Sequence, residues 1–386
     1  MSEAMERATR LRGFLAADPG NVALACDLVD ALFAAGLYHD ADTALAALPS
    51  PAREAAGVRF RQARCALVMG RYAEAGGVLE SLIGQGIDNA ALWHDLAFAQ
   101  LCMRRTADAA ATLADAEARF GIDAERAIVA ARVALMDGDF PRAHLALDHA
   151  LRLAPGHATA LGLRALALLD SSQADAALQA ALACLERHPD QHEALLVAGT
   201  VSLWRQDLAQ AERHFRRGLE RHPNSGRALS GLGQLLMLRN ELPAATAVLE
   251  HATAAMPEHI GTWHALAWSQ LLQGQVDAAE ASYRRAFALD DNFADSHGGL
   301  ALIAALKGQA EEAERSVKVA LRLDPKCATA LYARTLLLSD RGREDESNRL
   351  LAGLIGHIGL PQGMDLREFS RNLRSLLDAG RGGRAG

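Results

Sequence analysis

Four prolines, Pro155, Pro189, Pro223 and Pro257, stand 34 residues apart, and two further steps of the same length land on Asp291 and Pro325. A strict period of this length marks a repeat array, in which each unit buries its apolar face only against its neighbours. When each unit begins three residues after such a position, the chain divides into ten contiguous 34-residue units from Val22 to Pro361, without an insertion.

Within this frame, position 20 reads Ala41, Ala75, Ala109, Ala143, Ala177, Ala211, Ala245, Ala279, Ala313 and Ser347, and position 8 is small in nearly every unit. Small residues at two fixed points let two helices approach closely, because a larger side chain would force their axes apart. Position 24 is large and mostly apolar, from Leu45 through Phe215 and Tyr283 to Leu351, with Ala181 the exception. Position 15 carries Gly36, Gly70, Gly138, Gly274, Gly308 and Gly342, a residue that permits the turn between two helices. The proline at position 32 ends the second helix. Only 5% of the chain is aromatic while half is hydrophobic, so the apolar content is mostly Ala and Leu, which suits helix packed closely on helix.

These residues resemble the tetratricopeptide repeat family. The likeness is carried by Trp93, Leu96, Ala97 and Ala109 in one unit and by Trp263, Leu266, Ala267, Ala279, Tyr283 and Ala286 in another. The resemblance implies an all-α fold, a right-handed superhelical solenoid of antiparallel helix pairs. Helix A is expected at about positions 1–14 and helix B at about 15–30 of each unit. Departures gather at the ends. Units 1–3 lack the position-32 proline, unit 10 has Arg334 at position 7 and Ser347 at 20, and Pro49 and Pro51 should cut the first helix B short and leave a hinge near residues 49–56.

The expected organisation is an N-terminal capping helix within residues 1–21, ten repeats over 22–361, a C-terminal capping helix over 362–379 and a disordered tail over 380–386. Residues 3–17 read as a lone helix B, with Leu11 at position 24, Phe14 at 27 and Pro19 at 32. At the other end Leu366, Phe369, Leu373, Leu376 and Leu377 form one helical stripe beside Arg367, Arg371 and Arg374. Such a helix covers the last repeat and presents a polar outer face.

Several function classes drop out on chemistry. No GxxxxGK[ST], HExxH or GxSxG motif occurs, and Gly231–Leu232–Gly233 is not a dinucleotide loop, since Gly233 is a position-8 packing residue with no strand before it. His188 and His222 each precede a position-32 proline, and His144 and Asp148 read as a surface ion pair on helix B. No metal, cofactor or catalytic residue is expected. The chain carries 40 Lys and Arg against 47 Asp and Glu, which lacks the basic footprint of a nucleic-acid binder. Five scattered cysteines, no apolar leader and no membrane-spanning stretch point to a cytoplasmic protein with reduced thiols. The Ala- and Arg-rich composition suggests a bacterial gene of high GC content.

In the resembled family, helix A lines a concave groove through positions 2, 5, 9, 12 and 13. Here positions 5 and 9 together hold four of the chain's 18 aromatics, where chance would place about one. The groove candidates are Phe60, His94, Phe98, Leu196, Trp204, His264, Trp268 and Tyr332. The bland account is burial of these side chains between neighbouring A helices; the sharper one is an apolar groove for a peptide anchored on aromatics. Trp93–Phe98 and Trp263–Trp268 echo each other five repeats apart. No unit has the Lys at position 5 and Asn at position 9 with which co-chaperones of the family clamp acidic C-termini, so that use is discounted. The expected role is a non-catalytic adaptor or chaperone that binds a protein or peptide segment. The alternatives are an accessory subunit of a bacterial secretion, pilus or surface-polysaccharide assembly machine, or a regulatory or targeting subunit of a partner enzyme.

Overall fold

The computed structural model describes residues 3–358, with side chains through Leu354. It is all-α: no strand occurs among the described residues, and consecutive helices pack as antiparallel pairs in the manner of a helical-repeat solenoid. The chain divides into two compact units, Met1–Ala180 and Ala181–Gly386, each built from the same repeat. The expected C-terminal cap over 362–379 and tail over 380–386 lie outside the described residues.

The repeat frame matches the helices residue for residue. Every helix A runs from position 1 to position 13, as in Ala90–Cys102 and Ile260–Leu272, and every helix B starts at position 17, as in Phe140–Leu153 and Val276–Leu289. Positions 14–16 therefore form a turn, where the sequence pattern had placed the end of one helix against the start of the next. The reason is position 15, whose φ is positive in all ten repeats, from Gly36 at 73° to Gly342 at 71°. There the position-16 N–H donates back to the position-11 carbonyl, as Leu37 does to Leu32 at 2.9 Å and Gln309 to Ala304 at 2.9 Å. A left-handed residue closed by that bond is the Schellman stop. Glycine supplies the conformation in six repeats, but Arg104, Ser172, Gln206 and Asn240 adopt it too, with φ of 61°, 63°, 60° and 62°.

Six of the ten A helices start on a side-chain cap. Asn21, Asn89 and Asp123 accept from the N–H groups of Leu24, Leu92 and Arg126 at 3.0, 3.0 and 2.8 Å. His157 and His259 do the same through ring nitrogens, to Ala160 at 3.4 Å and Thr262 at 3.2 Å. Two of the chain's histidines are thus helix starts.

All nine position-20 alanines are wholly buried, at 0% exposure, as are the position-8 alanines Ala63, Ala97, Ala131, Ala165, Ala267 and Ala301. The last repeat breaks the pattern at both points, and the breaks compensate each other: Ser347 Oγ donates to the Thr335 carbonyl at 2.8 Å, and Thr335 Oγ1 donates to that of Tyr332 at 2.7 Å. Buried hydroxyls are tolerated when bonded in this way. The first helix B ends early, at Ala46, and a one-turn helix Ser50–Arg53 follows. Leu48 and Ala52 anchor this proline-bearing stretch in the core of the first unit.

The N-terminal helix Glu3–Ala17 packs on repeat 1 through Ala8, Leu11 and Leu15. Leu11, at position 24, lies against the core, whereas Phe14 is 61% exposed and Ala8 is buried beside the exposed Arg7. Burying Arg7 would strand an unpaired charge, so the small neighbour turns inward instead.

Candidate functional site

The first unit contains a cavity of about 560 Å³ lined by repeats 1–5. Ten of its fourteen lining residues sit at positions 2, 5, 9, 12 or 13 of helix A, among them Phe33, Arg64, His94, Phe98, Ile128 and Arg132. The remaining four are Tyr38 and Tyr72 at position 17 and Asp95 and Val129 at position 6. Position 17 opens helix B directly after the tight turn, which sets its side chain beside the A-helix face. A pattern count restricted to helix A passes over both tyrosines.

The walls are aromatic and carry charge of both signs. Phe33 and Tyr38 meet edge to face at 5.2 Å, and the Arg64 guanidinium stands 5.3 Å from the Phe33 ring. Arg64 also faces Asp95 at 3.8 Å, whose other oxygen lies 3.0 Å from His94 Nδ1. Glu125 is engaged by His157 at 2.9 Å. Burial raises the Tyr72 phenol above its ordinary range, and the neighbouring Cys102 adds to that. Cys102 is itself raised by burial, against the hydrogen bond from Tyr72 and the nearby Arg132. A protonated thiol is a poor nucleophile. What this arrangement can do is hold an amphipathic chain: rings for side chains, ion pairs that can be exchanged for a ligand's own charges.

The other candidates fall elsewhere. Phe60 packs against the core of repeats 2 and 3, beside this cavity's wall and not in its lining. Leu196 and Tyr332, each 5% exposed, are buried in the core and lie outside this cavity's lining. Trp268 is half-buried, 6.5 Å from Tyr332 between ring centres. His264 is half-buried between Tyr283 and Phe293, and its Nε2 lies 3.0 Å from Ser296 Oγ. Burial holds its pKa below the ordinary histidine value, with Asp295 opposing. Trp204 is 60% exposed. So the five-repeat echo persists in sequence and diverges in setting: His94 faces a cavity, whereas His264 props a packed aromatic cluster.

The expected His144–Asp148 pair does not form. Asp148 instead faces Arg164 of the next repeat at 3.7 Å, and His144 Nε2 is buried without a hydrogen-bond partner. The His192 ring packs against that of His222, tilted by 54° with centroids 4.4 Å apart, and meets Ser225 Oγ at 2.9 Å, a packing role. Among the described residues no group of three or more His, Cys, Asp or Glu could hold a metal, and no helix is long and apolar enough to cross a membrane.

Comparison with known proteins agrees with the repeat frame. One tetratricopeptide repeat family model matches residues 205–268, and another matches 128–192 and 264–328. No curated protein matches the sequence. Among solved structures, the anaphase-promoting-complex assembly Cut9–Hcn1 aligns at 14% identity with a TM-score of 0.66, covering 81% of this chain and 62% of that one, so this chain spans less than two-thirds of that protein. An IFIT1 monomeric mutant bound to Gppp-AAAA aligns at 15% identity and TM-score 0.57 over 100% of this chain and 96% of that one. The human IFIT1 dimer with m7Gppp-AAAA aligns at 16% and 0.52, over 87% and 90%. At such identities the likeness speaks for the fold.

Proposed function

Because the chain belongs to the tetratricopeptide repeat family, we propose that it is a non-catalytic protein-interaction scaffold that takes a segment of a partner protein on the helix-A face of repeats 1–5. The observation that carries this reading is the cavity of about 560 Å³ with Phe33, Tyr38, Tyr72 and Phe98 on its walls. Aromatics supply large contact area at small entropic cost, and the Arg64–Asp95 pair offers both signs of charge to an extended peptide. An adaptor or chaperone role, an accessory place in a larger assembly machine and the regulation of a partner enzyme all use such a face. Trp204, exposed on the second unit, is a separate contact candidate.

Cut9–Hcn1 is a protein assembly, and the IFIT1 structures contain capped RNA, so a repeat array of this fold is compatible with either partner class. The net acidic chain favours protein. The test is a photo-crosslinking amino acid placed at Phe98 and, separately, at the remote Leu145, which is exposed on helix B. A protein captured from Phe98 and absent from Leu145, and lost on Tyr72→Ala, supports the reading. Capture of RNA at Phe98, or equal capture at both sites, overturns it.

A further inference from the structure

A second groove, of about 540 Å³, lies in the other unit between helix B of repeat 9 (Ala310–Leu323) and helix A of repeat 10 (Ala328–Asp340). It uses positions 7, 10 and 11 of helix A and position 14 at its C-cap. At about 100° per residue these lie on the side of the helix away from positions 2, 5, 9 and 12. Its floor is apolar, formed by Val317, Leu321, Leu337 and Leu338. Its rim carries five basic side chains, Lys318, Arg322, Arg334, Arg341 and Arg343, against one acidic, Glu314. Arg341 is paired with Glu314, and Arg343 with Glu346 at 2.6 Å. Lys318, Arg322 and Arg334 are exposed and have no ion pair among the described residues.

The same register elsewhere shows what is unusual here. In repeats 4 and 5, the position-7 Arg164 faces Asp148 at position 25 of the preceding helix B. In repeats 9 and 10, Arg334 holds position 7 again, but position 25 is Lys318, and Arg322 stands one helical turn further on. Like charges at such spacing destabilise the free protein slightly. An unmatched cationic rim over an apolar floor is what an acidic, leucine-bearing surface complements.

We infer that this groove docks an acidic amphipathic segment of a partner protein, its apolar side chains on Val317, Leu321 and Leu337 and its carboxylates on Lys318, Arg322 and Arg334. Charge sets the choice of occupant. Residues 359–386 of this chain carry five Arg against three Asp or Glu, the same sign as the rim. No aromatic residue lines the groove, so nucleic-acid bases would lack an aromatic stacking platform.

The experiment titrates the full chain into a fluorescein-labelled peptide of Leu and Glu in amphipathic helical order and reads anisotropy. The comparators are the same peptide with every Glu replaced by Gln, a polyglutamate peptide of equal length, and oligouridine RNA. Lys318→Asp is the informative variant, since it places a carboxylate opposite Arg334 as Asp148 stands opposite Arg164, and so keeps the fold, which thermal melting by circular dichroism verifies. The expected result is a Kd at least about tenfold lower for the Leu/Glu peptide than for any comparator, and a loss of at least about tenfold in Lys318→Asp. No saturable binding by the wild type, equal affinity in Lys318→Asp, or equal binding of polyglutamate or RNA overturns the inference.

Discussion

Gly299 lies so close to Tyr283 that a Cβ on it would come within 2.2 Å of the phenol ring. The same relationship recurs between Gly231 and Phe215, at 2.3 Å. In both cases an aromatic at position 24 is matched by glycine at position 6 of the next repeat, sixteen residues on. The ring occupies the volume that a side chain would fill.

Adding a methyl group there should overpack the core. Gly231→Ala is expected to cost about 2–3 kcal/mol. Combining it with Phe215→Leu, the residue that six repeats carry at position 24, should recover most of the loss. A double-mutant cycle by urea denaturation measures this; strictly additive losses would refute the pairing. Tyr283 adds a second handle, since its hydroxyl is buried without a hydrogen-bond partner. Tyr283→Phe should therefore stabilise the chain by about 1 kcal/mol.

The turn at position 15 makes a further prediction. Arg104, Ser172 and Gln206 hold a left-handed conformation that glycine adopts freely. Replacing each by glycine should raise stability by about 0.5–1 kcal/mol, the gain being trimmed by the greater freedom of glycine in the unfolded chain. Glycine at Asn240 should gain less, because asparagine tolerates this region. Thermal melts of the four single variants rank these effects.

Acid should weaken the second unit before carboxylates titrate. Burial is the main cause that holds His214, His259 and His264 below the ordinary histidine value of 6.5; Arg213 adds to it at His214 and Arg227 at His259. The unfolded chain binds those protons first, so the stability they represent is present above 6.5 and is lost as pH falls below it. Urea midpoints should drop between about pH 7.5 and about pH 5.5, and His264→Gln should flatten that slope while keeping a partner for Ser296. An identical slope in the variant would remove His264 from the account.

The thiols set the alkaline limit. Burial pushes Cys65 up to about 11 and Cys327 up to about 12, from 9.0. Both should resist iodoacetamide in the native protein and react on unfolding in urea. Their folded-state pKa values are raised, so the stability linked to them is complete below 9.0 and declines as pH rises beyond it.

The helix pairing and the core were legible because repetition averages over local accidents: position 20 needs a small residue each time, and Ala41 through Ala313 declare it nine times. Of the candidate site residues, His94 and Phe98 line a cavity, whereas Leu196 and Tyr332 are buried and Phe60 packs on the core. Tyr38 and Tyr72 were illegible because position 17 follows a turn, and helical periodicity does not carry across a left-handed residue.

The sequence by itself determined the period, the antiparallel helix pairs and their small-residue contacts, since each follows from spacing within one unit and its neighbour. Only the tertiary structure decided which polar groups meet across repeats. Lys318 and Asp148 hold the same position in the frame, yet one faces Arg334 without an ion pair and the other faces Arg164 at 3.7 Å. Residues sixteen apart in sequence come together only after the helices dock, so charge balance and ring volume at each groove are properties of the packed array and not of the repeat.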